Sequence, residues 1–285
     1  MLTSLALVFL IGLMLGSIFN KLKLPSLLGM IITGMILSPY ALNLLDPSIL
    51  GISADLRQLA LIIILTQAGL SLDINDLKKV GRPAILMCFL PACFEMVGVV
   101  LIAPKVLGIS VLEAAIMGSV LGTVSPAVVV PRMLKIMEEG YGKERSIPQL
   151  ILAGASVDDV FVIVLFTAFI SLATGGDFTA SSLLQIPISI LLGIIVGVLL
   201  GITLTIFFKK FHMRDSVKII IILSLSGLLI ELQNILNGII PISGLLAIMS
   251  MGVTIYKKYN ILADRLSAKY SKLWVAAEIL LFVLV

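Results

Sequence analysis

Nine apolar runs divide this chain, at 2–19, 25–39, 54–71, 83–104, 111–137, 147–173, 182–208, 217–236 and 239–256, and a tenth begins at Leu273. No other feature constrains the fold as much. Most of the runs approach the ~20 residues that a helix needs to cross a hydrocarbon core. None shows the two-residue alternation of a membrane strand. A soluble domain carries about 25% charged residues; here the charged share is 13% and the hydrophobic share 60%. The expected fold is therefore an all-α membrane protein, a polytopic helical bundle in the lipid bilayer. No basic residue precedes the first run and no small-residue cleavage site follows it. It reads as a retained helix rather than a signal peptide.

Basic residues set the expected orientation. Of the 20 Lys and Arg residues, 18 fall at or beyond the ends of runs one, three, five, seven and nine, and only Arg57 and Lys105 lie on the other side. Positive residues stay inside, so the N-terminus is expected outside. The segments 20–24, 73–82, 137–146, 209–216 and 257–272 are then expected in the cytoplasm, the last of them as a polar interfacial stretch before the tenth run. That tenth run holds only 13 residues, Leu273 to Val285, so the chain is expected to be truncated within it.

Several function classes drop out. No basic cluster comes with interleaved aromatics, so nucleic acid is not an expected partner. Cys88 and Cys93 share one run and read as apolar filler. His212, the single histidine, sits in a basic loop. No transition-metal site is expected from that set, and no cofactor.

Two features resist a hydrocarbon interior. In the fifth run, Gly122-Thr123-Val124-Ser125-Pro126 interrupts the apolar sequence. Pro126 lacks an amide hydrogen and clashes with the carbonyl four residues back, and Gly122 adds freedom. Two readings stand: an ordinary proline kink, or a discontinuous helix whose freed carbonyls, with the Thr123 and Ser125 hydroxyls, face a small cation. The second feature is Asp158-Asp159 in the middle of the sixth run. A mid-span carboxylate costs at least ~2.5 kcal/mol, so intramembrane acids mark ion or proton paths. Neighbouring positions differ by about 100° around a helix. One acid can face an ion cavity while the other pairs with a cation elsewhere. A broken helix beside a helix carrying acids is the arrangement of an ion-coupled transporter, and hard oxygen ligands suit alkali cations.

Other acids divide. Glu95, in the fourth run, reads either as an ion-pair member or as part of the transport path. Glu231 lies near the outer end of the eighth run and reads as interfacial. Glu278 enters the tenth run after Trp274. Asp73 reads as a loop residue.

Together, GSVLGTVSPAVVVPRM (118–133), GYGKE (140–144) and GASVDDVF (154–161) resemble the monovalent cation:proton antiporter superfamily. The chain looks closest to the branch of NHA-type sodium/proton antiporters that carry an Asp-Asp pair. LPSLLGMIITGMIL, LRQLALIIILTQAGLSLD, LPACFEMVG and KLWVAAEILLFVLV support it. The resemblance implies an NhaA-like inverted-repeat fold of about 13 spans, with a broken core helix. It implies scaffold and dimerisation helices at 1–80, ion-translocation core helices at 81–174, a linker helix at 181–210 and further scaffold helices at 215–285. It implies a homodimer in the plasma membrane that exchanges Na+ or Li+ for H+. Asp159 would be the carboxylate that binds cation and proton in turn, Asp158 its neighbour paired with a basic residue, and Thr123 and Ser125 the unwound segment. Glu95 would pair with a distant Arg. Where the NhaP-type relatives have Thr-Asp-Pro this chain has Thr-Val-Ser-Pro, so the extra acid at the break is missing, and the second broken helix would lie beyond Val285.

Competing readings are an intramembrane aspartyl protease, a truncated non-transporting partner, a K+-selective antiporter and a symporter of the bile-acid type. The protease fails on geometry, because adjacent positions on one helix point apart. The Asp-Asp pair argues against the symporter.

Overall fold

The structure, a computed structural model, describes residues 1–72, 82–87, 89–122, 124, 126–142, 144, 146–173, 180–236 and 240–284. Among these residues there are helices and no strands. In chain order the helices are α1 (Leu2–Lys21), α2 (Ser26–Leu37), α3 (Pro47–Gly51), α4 (Ser53–Ser71), α5 (Arg82–Met87), α6 (Leu90–Leu107), α7 (Val111–Leu121), α8 (Pro126–Glu138), α9 (Ile147–Ala173), α10 (Ala180–Lys210), α11 (Asp215–Leu236), α12 (Gly244–Lys258) and α13 (Asn260–Val283). Among the described residues, four stretches are individually long and apolar enough to cross a membrane: Leu2–Lys21, Leu90–Leu107, Ile188–Lys210 and Asp215–Leu236.

The chain divides into two compact units. One comprises Met1–Gln67 with Leu266–Val285, the other Ala68–Arg265. In the first, α1 buries a narrow stripe of small residues and one valine, Ser4, Val8, Gly12 and Gly16. It leaves Leu10, Met14 and Ile18 outward, as a helix solvated by lipid does. Gly29 of α2 meets the Leu15 carbonyl so closely that a methyl group there would stand 2.6 Å from the oxygen. Only glycine permits that approach. The end of α13 completes the core, where Ile279, Val283 and Leu284 join Val8, Met30, Leu37, Leu45 and Ile49. Asp46 starts α3 by accepting from the Ser48 amide at 2.9 Å and the Ser48 hydroxyl at 2.6 Å.

In the second unit α10 and α12 run parallel along a glycine stripe. Gly193, Gly197 and Gly201 lie against Ser243, Ala247 and Met251 in step, the small-residue packing expected where lipid supplies no drive for association. Between them in sequence, α11 reaches α12 through Gln233, whose side-chain oxygen accepts from the Gly244 amide at 2.6 Å.

Two sequence expectations change. The fourth run is two helices rather than one, with α5 ending at Met87 and α6 starting at Leu90. Pro91 sits in the first turn of α6, where its missing amide hydrogen costs nothing. It thus marks the start of a helix. The stretch 257–272 is mostly the first half of α13. Its charges sit on an exposed side, while Leu262, Ala263, Leu266 and Tyr270 are fully buried, so an amphipathic helix continues into the apolar run.

Candidate functional site

The fifth run is interrupted where the sequence places the break. A capping box holds the start of α7: Ser110 accepts from the Glu113 amide at 3.2 Å, and Glu113 accepts from the Ser110 amide at 2.7 Å. The helix closes with the Gly122 amide on the Gly118 carbonyl at 2.9 Å and resumes at Pro126. Thr123 and Ser125 lie outside the described residues, and Pro126 is described by its backbone. Gly118 and Gly122 also let α7 lie close along α6. A methyl group on Gly118 would stand 3.2 Å from the Met96 Cα, and one on Gly122 would stand 3.4 Å from the Ala92 carbonyl oxygen. The break in the fifth run is therefore level with the start of α6, and so with the break in the fourth.

The segment beyond α8 turns sharply back into α9. Gly140 has φ 85°, the left-handed conformation that ends many helices. The Tyr141 amide reaches the Ile136 carbonyl at 3.0 Å and the Gly140 amide the Met137 carbonyl at 3.1 Å. That glycine-capped turn sends the chain into α9, the helix that carries Asp158 and Asp159.

Both acids lie within α9 and are described by backbone position. α9 packs against α5, α7 and α8, so it meets one half of the fourth run and both halves of the fifth. Two contacts fix its register. A methyl group on Gly154 would stand 3.1 Å from the Met87 carbonyl oxygen, at the end of α5. The Phe161 ring lies 6.2 Å from the Phe89 ring, centroid to centroid, at 53°. Gly154, Asp158 and Phe161 stand at i, i+4 and i+7, one face of a helix. Asp158 by register thus occupies the α9 face turned to the break between α5 and α6, and Asp159 is about 100° round. The sequence reading missed this second break. Its available signal was Pro91 in a helix-start position, one residue after Leu90.

The remaining acids separate. Glu95 is exposed on α6, and no ion pair involves it among the described residues. Glu231, also exposed, accepts from the Asn234 amide group at 3.4 Å, in keeping with an interfacial place. Glu278 accepts from the Ser26 hydroxyl at 3.4 Å. Cys93 is half-buried and unbonded to sulfur, His212 is exposed in the segment between α10 and α11, and Cys88 and Asp73 lie outside the described residues.

The family described as "Sodium/hydrogen exchanger, transmembrane" matches residues 5–285. The chain belongs to the sodium/hydrogen exchanger family. Among curated exchangers, it is 34% identical over 198 residues to Sodium/hydrogen exchanger 9B2 of Homo sapiens, covering 69% of this chain and 36% of that protein. It is 36% identical over 164 residues to Sodium/hydrogen exchanger 9B1 of Mus musculus, covering 57% of this chain and 29% of that protein. The chain spans about a third of the length of such curated exchangers. The fold is that of a solved structure of the sodium proton antiporter MjNhaP1 from Methanocaldococcus jannaschii, with a TM-score of 0.78 at 20% identity, over 98% of this chain and 68% of that one. The family and the fold both agree with the all-α bundle and its broken helix.

Proposed function

We propose that this chain belongs to a secondary transporter that exchanges Na+ or Li+ for H+ by alternating access. One observation carries the reading. The helix bearing Asp158 and Asp159 packs against both halves of an interrupted helix, and a second interruption lies level with the first. Broken helices expose backbone oxygen at membrane depth only where it lines a cavity or is buried in protein. Carboxylate, hydroxyl and carbonyl oxygens together suit a hard monovalent cation. In this reading Asp159 binds the transported ion with oxygens from Thr123 to Ser125. A proton and a cation compete for that carboxylate, so the ion leaves as the proton arrives and one site suffices for exchange. Asp158 sets the charge of the unit by pairing with a basic residue. Helices at 81–174 form the moving core, those at 1–80 and 215–285 the scaffold, and 181–210 the linker between them. The working assembly is a homodimer in the plasma membrane with the N-terminus outside.

The test is transport by the full-length protein in proteoliposomes, with an imposed pH gradient and each cation supplied in turn. Asp159→Asn is expected to abolish exchange while the protein still folds, because an amide cannot alternate between proton and cation. Asp158→Asn is expected to weaken coupling and to lower stability by unpairing its partner. Near-normal Na+ flux in Asp159→Asn would overturn the assignment. Labelling of Lys143→Cys from the cytoplasmic side alone is expected for this orientation, and labelling only from outside would reverse it.

A further inference from the structure

We propose that Glu278 is a proton-binding site apart from the acid pair of α9, and that its ionised form latches the start of α2 to α13 through Ser26. The inference does not rest on the transport reading. Glu278 belongs to the compact unit that holds α1 and α2, whereas Asp158 and Asp159 belong to the other. It is the only charged side chain from Leu273 to Val285, and a carboxylate in such a run is costly unless it has a task. The helix is closely seated there. A methyl group on Gly12 of α1 would stand 3.0 Å from the Ile279 side chain, and one on Gly34 of α2 would collide with the Val283 carbonyl. Glu278 is half-buried beside these contacts.

What the carboxylate meets is the beginning of another helix. Pro25 precedes α2 and supplies no side-chain cap, and Ser26 is the first helical residue. The Ser26 hydroxyl donates to Glu278 Oε1 at 3.4 Å. Gly16 of α1 lies against the same serine, where a methyl group would stand 3.7 Å from the Ser26 Cβ. A residue of α13 therefore places an acid at the positive end of the α2 dipole, where negative charge is favourable. A hydrogen bond to an ionised carboxylate is also roughly twice as strong as one between neutral groups. A proton bound by Glu278 removes both contributions. The latch is closed while the carboxylate is ionised and opens as pH falls through its titration.

The other charged and titratable groups on the surrounding elements are few. α1 carries only Lys21, the turn after it Lys23, and α2 none. The Met1 ammonium and Asp46 are joined to each other at 2.9 Å. α4 carries Asp55 and Arg57 in its first two turns, and Lys78 and Lys79 beyond it lie outside the described residues. On α13 itself Lys269, Tyr270 and Lys272 precede Glu278 by six residues or more, and Asp264 and Arg265 stand further back. α1, α2 and the run from Leu273 to Val285 thus contribute a single carboxylate. An acid-dependent loosening at the start of α2 traces to it.

The experiment is hydrogen exchange of the amides at 26–30 in the full-length protein, at about pH 8 and about pH 5, on either side of the range open to a perturbed carboxyl, with intrinsic rates divided out. Exchange there reports local opening. In wild type it is expected to quicken on acidification by on the order of tenfold, the size of a lost hydrogen bond to a charged group. Glu278→Gln keeps an oxygen for Ser26 but cannot ionise, so it is expected to exchange at both pH values as acidified wild type does. Asp159→Asn is expected to retain the acid response. An equal acid response in Glu278→Gln and wild type would overturn the proposal, and so would its loss in Asp159→Asn, which would assign it to the acid pair of α9. If Glu278→Gln does not fold, Ser26→Ala takes its place: a diminished acid response supports the latch, and a response equal to that of wild type overturns it.

Discussion

The Phe161 ring on α9 packs tilted against Phe89, which joins the two halves of the fourth run, with centroids 6.2 Å apart. Phe161 stands two residues beyond Asp159, so this pair fixes the acid-bearing helix against an interruption in its neighbour. Aromatic pairs contribute about 0.5–1.5 kcal/mol beyond their buried area, and truncation also leaves a void. For half-buried Phe161, Phe161→Ala is expected to destabilise by about 2 kcal/mol, and Phe161→Leu by less. Thermal unfolding in detergent reads both. An alanine variant that melts with wild type would show that the pair does not hold α9.

Glycines on two helices of the same unit should behave oppositely. A methyl group on Gly197 would collide with the Ala247 carbonyl of α12, whereas one on Gly227 of α11 meets nothing within 4 Å. Gly197→Val is expected to cost on the order of 1–3 kcal/mol or more, because overpacked interfaces must shift. Gly227→Ala should gain roughly 0.5–1 kcal/mol, since a helical glycine carries an entropy penalty that alanine lacks. Unfolding of the two variants side by side checks this, and a stable Gly197→Val would mean that the α10–α12 approach is looser than the geometry requires.

The spans were legible because a hydrocarbon core demands long apolar runs, and the break at Gly122–Pro126 because proline and glycine cannot continue a helix unaided. The break at Phe89 was less visible. Pro91 occupies a helix start, and a proline in an apolar run reads equally as a tolerated kink. The first half of α13 was hidden by its charges, since Asp264, Arg265 and Lys272 on exposed positions mask the buried Leu262, Leu266 and Tyr270. Composition cannot show which side of a helix the charges occupy until the register is known. The Gly193-Gly197-Gly201 stripe is plain in the sequence, but what it packs against depends on a contact some 50 residues away. Of the candidate site, Asp158 and Asp159 were found from their cost in lipid, a local property. The meeting of α9 with two interruptions is a tertiary one.

Asp46 provides a pH test outside the membrane-spanning segments. Hydrogen bonds from the Ser48 hydroxyl, the Met1 ammonium and the Ser48 amide hold its carboxyl well below the usual aspartate range. A carboxylate whose folded value is depressed contributes stability that is present above its unfolded value, ~3.9, and is lost as pH falls through the folded one. Asp46→Asn removes that contribution while keeping an oxygen to cap α3. Wild type is expected to be the more stable of the two at neutral pH, with the difference shrinking below about pH 4. Thermal melts of both proteins down the pH series decide it, and a difference that stays constant on acidification counts against the assignment.

The last prediction separates two bonds to one carboxylate. Asp215 meets Arg265 at 3.0 Å and Lys218 at 3.8 Å, but the Arg265 side chain is 53% exposed and that of Lys218 only 6%. The shorter contact is the weaker contributor. An exposed arginine that loses its partner is solvated by water, so Arg265→Ala is expected to cost about 1 kcal/mol or less. Lys218 has little access to water, and its ammonium lies 5.7 Å from the Phe208 ring, a cation–π contact that cannot replace an anion. Asp215→Asn therefore leaves a buried charge without compensation, and breaking a buried pair costs about 3–5 kcal/mol. Lys218→Met in the same background removes that charge and should restore much of the loss, since an apolar pair of similar volume is often neutral. Unfolding of Asp215→Asn, Lys218→Met and the double Asp215→Asn/Lys218→Met, beside wild type, forms a thermodynamic cycle. If Arg265→Ala proved as costly as Asp215→Asn, or the double variant were no better than Asp215→Asn alone, the buried Lys218 charge would not be what Asp215 holds in place.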